Sequence, residues 1–463
     1  MKVSKRVKEA YNSDSISKYI SIFFPEINRE ILHEQIEMES LRLSESVMAD
    51  SNVEFVGCIS STFQIKIQKL REDIKGRKII IRVHTDGTED EPVTLFNGIV
   101  DSAVKQGNKQ EKQITAYDEL YTKGGKNVAA WYKALKFPVT LKEVRDSLFE
   151  YVGLVQVETE LPNDSVQIKK QYNPGTLQAV AVMKAICQIN GAFGIINREG
   201  NFEYRILNRE EDQGTFPGGL YPPFYPSEFV GMVNGGAMNL NDFAFYKDLK
   251  YEEYTVKPVD MVTIRNSEDS DGVVYADGGS TGSNNYIIQG NMFTYGLPDD
   301  VLLEMAEKIY RNVGGFEYIP FQSDNNGLPF VECGLDMVSY LMVDYDKYGE
   351  TGEIEYVQKK FYVLNRELTG IQALRDAYSA QGEEYQTEFI TDLQTQIDLL
   401  KKKNTQETQE TQQQIEDYTY SKDEIDQKVS LGGACWDVQS VPVLPTTLAA
   451  NTMYLIQIET VVE

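Results

Sequence analysis

The sequence predicts an α+β, multidomain protein in which two β-rich, barrel-like domains flank a helical and hairpin module, followed by a C-terminal coiled coil and a short β tip. Three observations predict it. Short alternating or β-branched runs fill residues 1–118 and return across 237–382, helical spacing takes over between them, and beyond Gly382 the composition shifts to Gln, Thr, Glu and Lys. The length of 463 residues holds about three domains at roughly 150 residues each. With 41% hydrophobic and 25% charged residues the chain is ordinary foldable material, which excludes wholesale disorder, collagen-like and disulfide-scaffold classes.

In the first domain, 1–118, strands are expected over Ile16 to Phe24, Val53 to Cys58, Phe63 to Ile67, Lys78 to His84, Val93 to Val100 and Lys112 to Tyr117. Asp86-Gly87 and Gln106-Gly107-Asn108 supply turns. The second segment, 119–236, opens with apolar residues at helical spacing over Asn127 to Leu135 and Leu141 to Val152. Thr140 is the expected N-cap, and Glu143 completes a capping box. Pro174-Gly175-Thr176 is expected to open another helix through Ile189, with Leu177, Val180, Met183, Lys184 and Ile186 as a mostly apolar stripe and Gly191 as its stop. Phe193 to Asn197 and Phe202 to Leu207, joined by Arg198-Glu199-Gly200-Asn201, read as a hairpin. Glycine, proline and aromatics crowded between Gln213 and Gly236 read as a packed connector.

The third segment, 237–382, carries expected strands at Val259 to Asn266, Gly272 to Ala276, Tyr286 to Gly290, Pro329 to Cys333, Met337 to Val343 and Ile354 to Thr369. The helix Pro298 to Val313 interrupts them, with Asp299 and Asp300 in its first turn where the dipole favours acids. Residues 383–430 form the expected coiled coil. Leu393, Ile397, Leu400, Asn404, Glu407, Thr411, Gln414 and Tyr418 follow alternating steps of four and three, and Ile425 extends the seam. Half of that seam is polar, so a solvated low-complexity tether competes with a helix wrapped by copies of itself, and the number of strands is not fixed. The tip, 431–463, holds Pro442, Pro445 and a last apolar strand, too little to bury a core unless several chains share one.

Lys and Arg number 45 against 71 Asp and Glu, a net charge of −26. Such a balance repels phosphate backbones and anionic membrane surfaces, so nucleic acid is expected only in passage. A hollow assembly lined with carboxylates would let DNA slide; the competing account is that the charge serves solubility alone. Cys58, Cys187, Cys333 and Cys435 lie far apart in sequence with no CxxC pair, and read as reduced, buried or incidental thiols of a protein made in a cytoplasm. His33 and His84 are the only histidines, and each reads as a surface or satisfied core residue. No cofactor and no metal site is expected. Neither a signal peptide nor a membrane span is expected either, because no apolar h-region and no long apolar run occurs.

Gly278-Gly279-Ser280-Thr281-Gly282 matches the GxSxG nucleophile elbow, but that chemistry needs a following helix and a later histidine, and both histidines lie upstream. A flexible Gly/Ser loop is the expectation there. Asn266 to Gly272 resembles the opening of a calcium loop, with Asp269, Asp271 and Gly272 in suitable places. Its twelfth position would be Gly278, so the bidentate carboxylate is missing and an acidic surface turn is expected. No GxxxxGK[ST] or GxGxxG occurs, and no particular carboxylate pair is nominated for glycoside hydrolysis.

The order of parts resembles a known family. The residues that carry the resemblance are Phe55-Val-Gly-Cys-Ile, Gly76-Arg-Lys-Ile-Ile-Ile, Phe96-Asn-Gly-Ile-Val, Ile114-Thr-Ala-Tyr-Asp-Glu-Leu-Tyr, Phe137-Pro-Val-Thr, Gly191-Ala-Phe-Gly, Arg198-Glu-Gly-Asn-Phe and Asn365-Arg-Glu-Leu-Thr-Gly-Ile-Gln-Ala-Leu-Arg-Asp. Over about residues 15 to 382 the set is similar to the tail hub, or baseplate hub, family of tailed bacteriophages, also called tail-associated proteins. The resemblance implies a virion structural protein at the tail tip, made in the bacterial host cytoplasm. It implies a homotrimer whose two barrel-like domains per protomer form a ring of pseudo-sixfold symmetry, adapting the hexamers of the distal tail or tail tube to a threefold axis and gating DNA passage at infection.

The implied partners are further copies of itself, those tail hexamers, the tape measure protein, other tail-tip or receptor-binding proteins, and the host cell envelope. Several family members carry a peptidase or lysozyme-like domain after the hub. Here only the seam and the tip follow, so no catalytic residues are carried over and a non-enzymatic role is expected. A tail-associated cell-wall hydrolase and a host receptor-binding adhesin stand as alternatives.

Overall fold

The computed structural model describes residues 3–4, 6–7, 10, 17–37, 39–48, 57–105, 107, 110–170, 174–207, 246–265, 272–278, 284–327, 329–343, 356–371, 374–384, 437–441 and 452–456. It is sheet-rich, with several sheets and few helices, and residues Met1–Leu393 and Gln394–Glu463 make two compact units.

The first segment supplies β1 (Lys18–Phe24), β2 (Arg29–Ile31), β3 (Arg42–Ser46), β4 (Thr62–Gln68), β5 (Lys78–Thr85), β6 (Val93–Lys105) and β7 (Glu111–Tyr117). Alternation decides which face goes inward: Phe63, Ile65 and Ile67 of β4 and Ile79, Ile81 and Val83 of β5 are buried, while the residues between them, Gln64, Lys66, Ile80 and Arg82, are only half-buried. The β6 strand extends five residues beyond the expected Val100. A register shift between Val100 and Ser102 adds a bulge that lets it keep pairing with β7. Gly98 lies where any Cβ would sit 2.3 Å from the Tyr117 carbonyl oxygen and 2.5 Å from the Phe96 ring. The missing side chain is what lets Phe96 fold back and stack on Phe63 at 5.2 Å.

The middle segment contains α1 (Glu119–Gly124), α2 (Ala129–Ala134), β8 (Val139–Thr140), α3 (Leu141–Val152), β9 (Gln167–Ile168), α4 (Ala179–Gln188), β10 (Phe193–Ile196) and β11 (Phe202–Arg205). The capping box is present: the Glu143 amide donates to the Thr140 hydroxyl, and the Thr140 amide donates to the Glu143 carboxylate. Arg145 on α3 is buried and forked onto Asp164 at 2.8 and 2.7 Å, with Gln156 and the Thr159 carbonyl taking its other protons. The helix expected from Pro174 begins only at Ala179. Its forerunners are used otherwise, because Leu177 accepts from the Val128 amide and Ala179 donates to the Lys126 carbonyl, making a bridge between Asn127 and Gln178. Lys184 is half-buried, whereas the buried face is Ala179, Val182, Met183, Ala185, Ile186 and Cys187.

The third segment supplies β12 (Tyr246–Tyr251), β13 (Met261–Arg265), β14 (Val273–Ala276), β15 (Asn285–Gln289), α5 (Asp299–Val313), β16 (Phe321–Asn326), β17 (Met337–Val343), β18 (Tyr356–Tyr362), β19 (Asn365–Thr369) and β20 (Arg375–Ala380). Pro329 to Cys333 is not a strand. It runs through turns, and its Val331 and Cys333 carbonyls accept from arginine side chains instead of a ladder. The run Ile354 to Thr369 divides into β18 and β19. The second unit contributes β21 (Asp437–Val441) and β22 (Thr452–Ile456), which pair in parallel.

Eleven strands from the first and third segments share one ladder in the order β12-β16-β20-β19-β3-β4-β7-β6-β5-β1-β2. The join is β3 against β19, antiparallel, with Leu43 opposite Leu368 and Glu45 opposite Arg366. Asparagines seal the middle segment to the third. Asn291 donates to the Ala185 carbonyl and the Gln188 side chain, and Asn312 donates to the Asn190 carbonyl, which satisfies polar groups at the C-terminal end of α4.

The Gly98 geometry generates a stability test. Gly98→Ala is expected to lower unfolding stability by about 1–3 kcal/mol through overpacking. Gly175→Ala, where an added Cβ meets nothing within 4 Å, is expected to change it by less than about 0.5 kcal/mol. Urea unfolding of both variants measures the contrast.

Candidate functional site

Three arginines and three carboxylates meet where the segments of the first unit converge. Glu45 projects from β3 and takes Arg198, from the β10–β11 turn, at 2.6 and 2.8 Å. Arg366 of β19 reaches the same carboxylate at 3.3 Å. Arg366 is wholly buried and forked onto Asp376 of β20 at 2.8 and 3.1 Å, while its remaining terminal nitrogen donates to the Val331 carbonyl at 2.7 Å. The Tyr378 hydroxyl donates to Asp376 at 2.7 Å. Arg198 also donates to the Leu95 carbonyl on β6. Alongside, Arg205 of β11 donates to the Cys333 carbonyl at 2.6 Å and meets Glu332 at 3.4 Å. Glu45 therefore binds all three segments at once.

Local sequence explains why these groups are placed here. Glu45 and Arg366 are register partners across β3 and β19, so a slip of one residue would turn Glu45 to the opposite face and strand both charges. Arg198 opens the turn whose Gly200 adopts φ +88, a conformation that admits glycine easily, and Asn97 of β6 donates to the Glu199 carbonyl at 2.9 Å to hold that turn down.

The electrostatics follow from burial. Desolvation would raise the Glu332 carboxyl, but the positive charge around it, Arg205 foremost and Arg198 among the rest, outweighs it and holds the group at about 2. For Arg366, desolvation opposes the charge and Asp376 and Glu45 more than restore it, so its pKa is raised. The space inside is a cavity of about 20 Å3 lined by residues such as Glu45, Arg198, Arg205 and Glu332, which suits about one water and no organic ligand. What this arrangement can do chemically is fix strands and exclude solvent.

The other residues singled out from the sequence fall elsewhere. The seam residues Leu393, Ile397, Leu400, Asn404, Thr411, Tyr418 and Ile425 lie outside the described residues, as do the connector 213–236 and Cys435. Of the GxSxG run only Gly278 is described; it sits in an exposed turn, and the described chain resumes into strand β15. Asn266 to Asp271 lie outside the described residues. His84 stacks on Tyr19 at 4.8 Å and shares a hydrogen bond with Ser21 at 2.9 Å; desolvation lowers its pKa. Among the described residues no group of three or more His, Cys, Asp or Glu could hold a metal, and no helix is long and apolar enough to cross a membrane. The junction residues Glu45, Arg205 and Glu332 were missed. Nothing in a single sequence separates them from the other charges, although Arg198 and Arg366 stand inside motifs already quoted.

Two tests follow from the junction. Arg366→Met leaves buried Asp376 without its guanidinium and Glu45 with Arg198 alone, and is expected to cost about 3–5 kcal/mol in chemical unfolding, with Arg366→Lys losing less. For Glu332, a folded pKa held below the unfolded 4.5 stabilises the protein above that value, and the gain is lost as pH falls from about 4.5 toward 2. The stability difference between wild type and Glu332→Gln should therefore be full near neutrality and vanish toward pH 2, as read from unfolding midpoints across that range.

No protein-family model matches this chain, and no curated protein matches it. Solved structures do. A tail protein from Neisseria meningitidis MC58 is similar at 11% identity over 79% of this chain and 97% of its own, with a TM-score of 0.45. The 43 kDa tail protein of prophage MuSo2 from Shewanella oneidensis is similar at 10% identity over 78% and 97%, with a TM-score of 0.45. Prophage tail protein gp18 from Listeria monocytogenes EGD-e is similar at 12% identity over 78% and 94%, with a TM-score of 0.43. All three similar structures are tail proteins, two of them of prophages.

Proposed function

We propose that this chain is a non-enzymatic structural protein of a bacteriophage tail: a homotrimeric hub at the tail tip that closes the distal end of the tube, adapts sixfold to threefold symmetry, and gates DNA passage at infection. The observation that carries the reading is where the family-like motif residues fall. Arg198, Arg366 and Asp376 enter the ionic junction, Asp118 caps α1, and Gly98 and Gly194 permit close backbone approach. Some of the residues that carry the resemblance are thus among those that hold the fused β body together.

A body of this kind suits a mechanical task. Its segments are tied by charges that cannot slide past one another without leaving an ion unpaired in the interior. The net charge of −26 supports DNA passing without adhesion. In this reading the seam from Leu393 to Ile425 contributes to self-association, and tail-tube hexamers, the tape measure protein, receptor-binding proteins and the host envelope are the partners.

Light scattering on the full chain at micromolar concentration tests the reading. The expected mass is three times the 52.6 kDa of one chain. The double substitution Ile397→Asp with Leu400→Asp is expected to weaken that assembly by at least tenfold in concentration. A wild type that stays monomeric, or averaged images of the virion tail tip without this chain on the axis, would overturn it.

A further inference from the structure

We propose that Cys58 and Cys187 form a site of oxidative cross-linking: met by a small-molecule disulfide, the two thiols join as one intramolecular disulfide that ties the first β segment to helix α4. The inference is independent of the tail reading. Their Sγ atoms lie 3.7 Å apart across 129 positions of sequence, and both cysteines are free and buried.

The backbone around them is arranged for the contact. Cys58 bridges Gly194 in parallel, with the Gly194 amide donating to the Gly57 carbonyl at 2.7 Å. A Cβ on Gly194 would come within 2.7 Å of the Cys58 sulfur and 2.3 Å of the Phe202 ring. Glycine at this position leaves the room that the Cys58 thiol occupies, next to the α4 thiol. The third described cysteine is engaged elsewhere: the Cys333 thiol faces the Glu45 carbonyl oxygen at 3.7 Å.

The chemistry balances in two exchanges. The Cys58 thiolate attacks one sulfur of the reagent, forming a mixed disulfide and expelling one thiolate. The Cys187 thiol then loses its proton to solvent and attacks the Cys58 sulfur, forming the protein disulfide and expelling the second thiolate. Two protein thiols are oxidised and the reagent's sulfur–sulfur bond is reduced to two thiols. Burial, with the neighbouring Cys58, pushes the Cys187 thiol well up, so thiolate is scarce in the closed form. The reaction is therefore slow at neutral pH and quickens under alkaline conditions or when the Gly57–Gly194 pairing opens.

The full chain is incubated with oxidised glutathione in mildly alkaline buffer, with and without sub-denaturing urea. Free thiols are then blocked with iodoacetamide and the digest is read by mass spectrometry. The expected product is a linked Cys58–Cys187 peptide pair that reduction releases, together with a raised melting midpoint that a thiol reductant reverses. In Cys187→Ser, glutathione is expected to remain on Cys58. Persistent glutathione on Cys58 of the wild type, linkage mainly to Cys333 or Cys435, or both thiols still free after the urea arm would overturn the proposal, and the wild-type arms decide it even if the variant fails to fold.

Discussion

The Glu45 carboxylate, held between the guanidiniums of Arg198 and Arg366, is the constraint on which the rest of the first unit depends. A buried charge without a partner costs several kcal/mol, so Arg198 is placed in the interior against Glu45, and Arg366 against Asp376 and Glu45. Glu45, Arg198 and Arg366 each come from a different stretch of sequence: a strand of the first segment, a hairpin turn of the middle one, a strand of the third. Their meeting makes the ladder continuous and sets its register at a strand where apolar burial is thin. The short strand Arg42–Ser46 has Leu43 as its one deeply buried apolar side chain, and without the ion pairs it would have little to choose between neighbouring alignments.

A second seam works by amides instead of charges. Asn291 and Asn312 reach from the third segment to carbonyls around the end of α4, while Asn163 and Asn190 tie the same region from within the middle segment. Hydrogen-bonded asparagines fix distance and angle more strictly than apolar contacts do, because a displaced donor leaves a buried acceptor unmet. Apolar cores on either side supply the bulk of the folding energy; polar junctions decide how the parts are oriented.

The strands most plainly written in the chain are those whose side chains alternate, such as Phe63 to Ile67 and Lys78 to His84, and the helix marked by its own capping box, Leu141 to Val152. These follow from local periodicity, which a single sequence displays directly. Strands β2, β3, β12, β16 and β20 were not legible. They are short or polar, and they are strands because of the neighbours they pair with, which lie hundreds of residues away in the case of β3 and β19. The same holds for Pro174 to Gln178: its residues permit a helix start, but a bridge to Asn127 claims the backbone first. Pro329 to Cys333 has the composition of a strand, yet its carbonyls are taken by arginines.

The sheet-rich segments, the helical interlude and the glycines and caps at turns can be read directly from the chain, because each depends on residues within a few positions of one another. Folding alone reveals that strands of the two β-rich segments share one ladder, which charges meet, and that two cysteines 129 positions apart touch. Those are encounters between distant stretches of chain. Their partners are chosen by burial and by the cost of an unpaired charge, quantities that exist only once the chain has closed on itself.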